Sequence, residues 1–215
     1  MSAIGAAPFD DGFRAGLERL FVLRRDVRHF RPEPLPEGTL ERLLGVARLA
    51  PSVGLSEPWR FVIVADPARR AAVRANFEAC NQAALAGYGG ERAALYARLK
   101  LEGIDVAPVQ FAAFSDRATA QGAGLGRQTM PEMAEYSVVA AIHTIWLAAR
   151  AEGIGLGWVS ILDPAAVAAI LDVPESWRLV GYFCLGRPEE EGTLPELQRL
   201  GWAARAASSQ HVLKR

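Results

Sequence analysis

The residues best suited to chemistry lie together at Arg24-Arg25-Asp26-Val27-Arg28. Three guanidinium groups surround one carboxylate in this stretch. Guanidinium forks offer paired, permanently charged donors and so match phosphate. The plainer reading is a basic last turn that complements a helix dipole. A hydroxyl stands far downstream in the apolar, strand-like run Trp158-Val159-Ser160, where bonding to backbone alone would account for it. Other site chemistries lack their residues. There is no lysine-type phosphate loop and no Gly-x-Ser-x-Gly elbow. Gly153, Gly155 and Gly157 alternate, whereas a dinucleotide fingerprint needs another spacing and a strand ahead of it. A helix stop feeding a buried strand explains them better. Gly122, Gly124 and Gly126 also lack a following phosphate-binding helix. His29, His143 and His211 are far apart, without partners at metal-ligand spacing, so no metal is expected. What remains is a phosphate-sized cationic cluster, a serine among apolar neighbours, and the tryptophan-bearing segments Pro58-Trp59 and Gly201-Trp202. That set suits a flat phosphorylated cofactor such as a flavin.

The elements that must hold these groups follow from periodicity and punctuation. Asp10 or Asp11 caps a first helix reaching about Arg25, with Phe13, Leu17, Leu20 and Phe21 on one face. Arg31-Pro32-Glu33-Pro34 cannot continue it. Pro36 looks like the first-turn proline of a second helix with Leu40, Leu43, Leu44 and Ala47 inward. Strands are predicted over 58–64, 106–114, 156–161 and 178–185, and further helices over 67–86, 91–101, 130–152 and 163–171. Residues 115–129 read as a flexible loop. The helix over 130–152 is apolar nearly all round and belongs in a core or a subunit interface. Strands and helices mix without strict alternation, which gives an α+β class. The 215 residues are enough for one sizeable domain spanning 1–215, with 1–9 as a loose arm. With 24 basic and 24 acidic side chains, no charge excess argues for nucleic acid or a membrane surface. Cys80 and Cys184 read as buried thiols, not a disulfide framework. No leader or membrane-spanning run is evident, so a cytoplasmic protein is expected.

Read together, several motifs are familiar. Arg24-Arg25-x-x-Arg28-x-Phe30, Ala50-Pro51-Ser52, Pro58-Trp59-Arg60-Phe61 and Gly155-Leu156-Gly157-Trp158, in that order, resemble the nitroreductase-like flavoproteins. Asp26 stands where that pattern usually has serine, and Leu55 and Glu57 where it has asparagine and glutamine. Together with 99–104, 147–153, 157–161 and Pro195-Glu196-Leu197 before Gly201-Trp202, these departures are similar to the BluB branch. Its members are the aerobic 5,6-dimethylbenzimidazole synthases of vitamin B12 assembly. The likeness runs over nearly the whole chain.

That resemblance implies a nitroreductase-like fold, with a mostly antiparallel central sheet flanked by helices in an intertwined homodimer. It implies reduced FMN (FMNH2) bound between subunits and consumed with O2, giving 5,6-dimethylbenzimidazole and erythrose 4-phosphate without a metal. A separate NAD(P)H–flavin reductase would supply the reduced flavin. Arg24, Arg28 and Arg205 would hold the phosphate and ribityl side, Arg25 would join them or face a core carboxylate, and Asp26 and Val27 would also contact the cofactor. Asp26, kept ionised by its arginines, would be the base for a retro-aldol-like cleavage of the ribityl chain. Ser160 would be the second catalytic group, a donor toward flavin N5. Leu156 and Gly157 would line the ring edge, and Pro51, Ser52 and Val53 would approach it from the partner subunit. Residues 80–103 form either a lid or a solvated hairpin, and 187–215 a C-terminal extension. Two rival functions stand beside this one. An NAD(P)H-dependent FMN nitroreductase or dehalogenase is opposed by Asp26 and Leu55, and a non-catalytic FMN-binding protein would leave Asp26 and Ser160 dispensable.

Overall fold

The computed structural model describes residues 8–206 and 212–215, so most of the expected N-terminal arm lies outside the described residues. Helix α1 (Asp11–Leu23) begins where the Asp10 carboxylate accepts from the Phe13 amide, and stops at Leu23 because Arg24 is already extended. Helix α2 (Thr39–Gly45) starts three residues beyond the predicted Pro36. Pro36 opens a preceding turn by accepting the Thr39 amide, and Gly38 at φ 75° carries the entry. Strand β1 (Trp59–Ile63) leads into α3 (Pro67–Ala86), where the Asp66 cap and first-turn Pro67 fix the start. Helix α4 (Gly90–Tyr96) is shorter than predicted, unwinding through turns at Arg98 and Leu99. Strand β2 (Val109–Asp116) begins late because the Gly103 carbonyl draws the Val106 and Ala107 amides into a turn. Then come α5 (Met133–Ala151), β3 (Gly155–Val159), α6 (Pro164–Leu171), β4 (Trp177–Gly186) and α7 (Glu196–Arg199).

The four strands form one antiparallel sheet in the order β1-β2-β4-β3. Side chains alternate across its two central strands. Phe111, Ala113, Phe183 and Leu185 face a core built with Val138, Ile142 and Ile145 of α5. Ala112, Phe114, Tyr182 and Cys184 face a second core with Val73 of α3 and Val167 of α6. Burying each large side chain contributes about 1.5–3 kcal/mol. A polar string crosses the second core. The Tyr182 hydroxyl donates to Gln110 Oε1 at 2.7 Å, and Gln110 Nε2 donates to the Ile104 carbonyl at 2.7 Å. Both cysteines are free thiols. Cys184 is buried, as expected, but Cys80 is only half-buried.

Two sequence readings need correction. Strand β3 ends at Val159, its last residue paired with β4, so Ser160 lies beyond the strand and is exposed. The glycine-rich loop is not free. Gln121 Nε2 donates to the Leu55 carbonyl at 2.8 Å, and a Cβ on Gly122, which has φ +75°, would collide with the Gly54 carbonyl. It braces the turn after Pro51. Among the described residues, no helix is long and apolar enough to cross a membrane. The predicted apolar face of α1 exists but is uncovered, with Phe13 and Phe21 each 48% exposed.

Candidate active site

Strand β3 is an edge strand, and its outer edge needs partners for its amides and carbonyls. The Arg24–Arg28 stretch supplies them. The Val27 amide donates to the Leu156 carbonyl at 3.2 Å, and Asp26 bridges to Leu156 in parallel register. The next free amide on that edge, Trp158 N–H, donates to Asp26 Oδ1 at 2.8 Å. The carboxylate thus stands in for a missing strand. Gly155 and Gly157 permit the approach. A Cβ at Gly155 would meet Val27 Cγ2 at 2.8 Å, and one at Gly157 would collide with the Val27 carbonyl. Their spacing therefore serves a crossing segment, while Gly153 at φ +71° ends the helix. On the other side the Trp146 indole of α5 donates to the Arg25 carbonyl at 3.2 Å.

The second oxygen of Asp26, Oδ2, accepts from Arg28 Nε at 3.0 Å. Arg28 Nη1 also donates to the Lys100 carbonyl at 3.0 Å, tying the carboxylate to the stretch after α4. Of the arginines expected to favour the ionised form, Arg28 does so, but it is not the largest influence on Asp26. Burial raises its pKa, and the opposing pull of the Trp158 amide and Arg28 does not fully offset that. Glu196 adds to the upward shift. Among the described residues, Arg25 meets no core carboxylate. Its guanidinium donates to the Thr193 carbonyl, at 3.0 Å from Nε, and to the Arg24 carbonyl at 2.6 Å. Burial lowers its pKa, assisted by the charges of Arg24 and Arg205. The Arg24 guanidinium lies 4.9 Å from the centre of the Trp146 ring.

These groups converge on a cavity of ≈ 210 Å³ lined by Arg24, Arg25, Asp26, Arg28, Glu196 and Arg205, among others. A larger cavity of ≈ 480 Å³ adjoins it, sharing Arg25, Asp26 and Arg28 and adding Val27, His29 and Glu189. In the smaller one, four guanidiniums face two carboxylates, leaving a positive surplus close to the charge of a phosphate monoester, about −1.5 to −2. The residues present therefore fit a phosphorylated ligand whose polar tail enters among the arginines.

Not every expected residue joins them. The Leu156 side chain is fully buried in the core, which leaves only its backbone for a ligand, and Gly157 is occupied by Val27. Ser160 is two residues beyond Trp158 in the chain but lines neither cavity. Pro51, Ser52 and Val53 line neither one either. Ser52 Oγ accepts from the Glu57 amide at 3.2 Å, and the Val53 amide donates to Ser137 Oγ at 3.0 Å. Residues 80–103 split into the end of α3, α4 and a turn. Tyr96 of α4 is 6% exposed, so the segment is not a wholly solvated hairpin. Glu196 was not singled out as a site residue. It pairs with His29 at 3.1 Å, and its position in the Pro195-Glu196-Leu197 motif was the available signal. The Trp158 amide and the Lys100 carbonyl are backbone groups, invisible to residue type.

A profile of the nitroreductase family matches residues 22–187. The 5,6-dimethylbenzimidazole synthase of Rhodospirillum rubrum is 60% identical over 197 residues, covering 92% of this chain and 93% of that protein. The 5,6-dimethylbenzimidazole synthase of Rhodobacter capsulatus is 50% identical over 194 residues, covering 90% and 94%. Among solved structures, iodotyrosine deiodinase bound to FMN and 3-iodo-L-tyrosine superposes with a TM-score of 0.70 at 22% identity, over 92% of this chain and 97% of that one. A nitroreductase-like protein from Streptococcus mutans gives 0.68 at 16% identity, over 94% and 100%.

Proposed function

The chain belongs to the nitroreductase family, and from that membership we propose that it is a 5,6-dimethylbenzimidazole synthase. It would convert reduced FMN and O2 to 5,6-dimethylbenzimidazole and erythrose 4-phosphate, the former destined to be the lower ligand of vitamin B12. The observation that carries this reading is Asp26. A carboxylate takes the place of the usual serine and is held by two directed hydrogen bonds in the lining of a four-arginine cavity.

Reduced flavin supplies the electrons for dioxygen and is itself the substrate. The chain's own residues do the rest. Arg24, Arg25 and Arg205 receive the phosphate and fix the ribityl chain beside Asp26. Asp26 accepts a proton from a ribityl hydroxyl during carbon–carbon cleavage. Its raised pKa makes it a stronger base than a solvated carboxylate once it is ionised. The Trp158 amide and Arg28 Nε hold both oxygens, so the carboxylate meets its target without searching rotamers. Ser160, exposed at the end of β3, is the donor toward flavin N5. Pro51, Ser52 and Val53 close the ring site from a second copy, which accounts for their standing outside the cavities of a single chain. A separate NAD(P)H–flavin reductase provides the reduced substrate.

The test mixes the protein with chemically reduced FMN in air and separates the products by chromatography. 5,6-Dimethylbenzimidazole is expected, and Asp26→Asn should lower its formation by a factor of about 10²–10⁴. Ser160→Ala should divert turnover toward simple flavin oxidation. Intact oxidised FMN and hydrogen peroxide from the native protein, with no benzimidazole, would refute the assignment.

A further inference from the structure

Arg205 completes the arginine cavity, yet it is exposed and lies in an extended stretch without secondary structure. Its position depends on what holds the chain just before it. The last hydrogen bonds described ahead of Arg205 are from the Trp202 and Ala203 amides to the Leu197 carbonyl, at 2.8 and 3.5 Å. The Trp202 side chain is fixed far more firmly. Its ring meets Tyr88 edge-on at 5.5 Å between centroids and Tyr96 at 5.9 Å. Tyr88 and Tyr96 stack on each other at 5.0 Å, and the Tyr96 hydroxyl donates to Asn81 Oδ1 at 2.7 Å. The Arg92 guanidinium caps the ring 3.8 Å from its centroid and donates to the Trp202 carbonyl at 3.0 Å. An indole held by two rings and one cation is a strong anchor for a short exposed segment. Three residues span at most about 11 Å, so a seated Trp202 confines Arg205 to the neighbourhood of its cavity.

We propose that Trp202 is a positioning residue: its seat on the α3–α4 hairpin places Arg205 over the arginine cavity and thereby sets the preference for phosphorylated over unphosphorylated flavin. This rests on the FMN reading above and adds to it the residue on which phosphate selectivity depends. Arg24 and Arg25 are secured by Trp146 and by backbone carbonyls of the Arg24–Arg28 stretch and the tail. Arg205 alone is delivered by the aromatic seat. Losing it costs the ligand one charged contact at the phosphate and nothing at the ring.

The experiment measures the dissociation constants of oxidised FMN and riboflavin, by flavin fluorescence quenching, for the native protein and for Trp202→Ala, Trp202→Phe, Tyr88→Ala and Arg205→Ala. The preference for FMN should fall about tenfold in Trp202→Ala, the scale of one charge-assisted hydrogen bond, with riboflavin binding unchanged. Trp202→Phe keeps a ring in the seat and should retain most of the preference. Tyr88 is 40% exposed, so Tyr88→Ala spares the core and should give a smaller loss of the same sign. Combined with Trp202→Ala, Arg205→Ala should cost little more than either change alone. An unchanged FMN preference in Trp202→Ala, or additive losses in the double variant, would overturn the positioning role while leaving FMN binding intact. A native protein that binds FMN no better than riboflavin would overturn both this inference and the phosphate-binding reading beneath it.

Discussion

Asp26 faces opposing demands. It must be ionised to accept a proton, while its partial burial favours the neutral acid. The direction of the shift predicts the pH behaviour. Product formation should fall on the acid side through a pKa above the ordinary carboxylate value of about 3.9. Arg28 pulls that pKa down, so Arg28→Gln should move the acid limb to higher pH, and Arg28→Lys should move it less. A pH–rate profile of each variant reads this directly. Stability gives the same sign independently. The folded state holds the proton more tightly than the unfolded chain, so Asp26 lowers stability as pH rises from the unfolded to the folded pKa. The melting temperature of Asp26→Asn relative to native protein should therefore increase with pH across that window. The carboxylate itself was legible in the sequence, because an aspartate among arginines is plain from residue type. Its raised pKa was not, since burial is a product of the folded chain and leaves no mark in residue type.

At the scale of elements, the site exists because an edge strand is closed by an irregular segment. Gly157 is the position where that closure is tightest, since any Cβ there runs into the Val27 carbonyl, which is backbone and cannot swing aside. Gly157→Ala should destabilise the fold by about 3 kcal/mol or more, measured by urea unfolding. Gly155→Ala, which meets the Val27 side chain and no backbone atom, should cost less. Helix α3 was readable to its ends because Asp66, Pro67 and Gly87 are local signals. The end of β3 was not, because Val159 is its last residue with a partner on β4 and nothing in Val159-Ser160-Ile161 marks the stop. The glycine loop was misread for a related reason. Gly122 looks like flexibility in sequence, but it is a close backbone crossing with Gly54.

At the scale of the molecule, two features fit the proposed pairing with a second copy. Helix α1 leaves Phe13, Leu17 and Phe21 uncovered, and the Pro51–Val53 stretch stands outside the cavities it was expected to help form. Sedimentation should show a dimer, and Phe21→Glu should yield monomers that bind FMN at least about tenfold more weakly. Thiol labelling probes the interior. The Cys184 thiol is buried and pushed up to about 12, so a native chain should react only at Cys80, with the second thiol appearing on denaturation. The Tyr182–Gln110–Ile104 string gives the protein an optical signature as well. Burial pushes the Tyr182 phenol above the ordinary tyrosine range, and its hydroxyl donates its proton into a hydrogen bond with Gln110 Oε1. In an alkaline ultraviolet titration this ring would remain un-ionised until the chain opens, so its late phenolate band would date the collapse of the sheet from within, with no added dye.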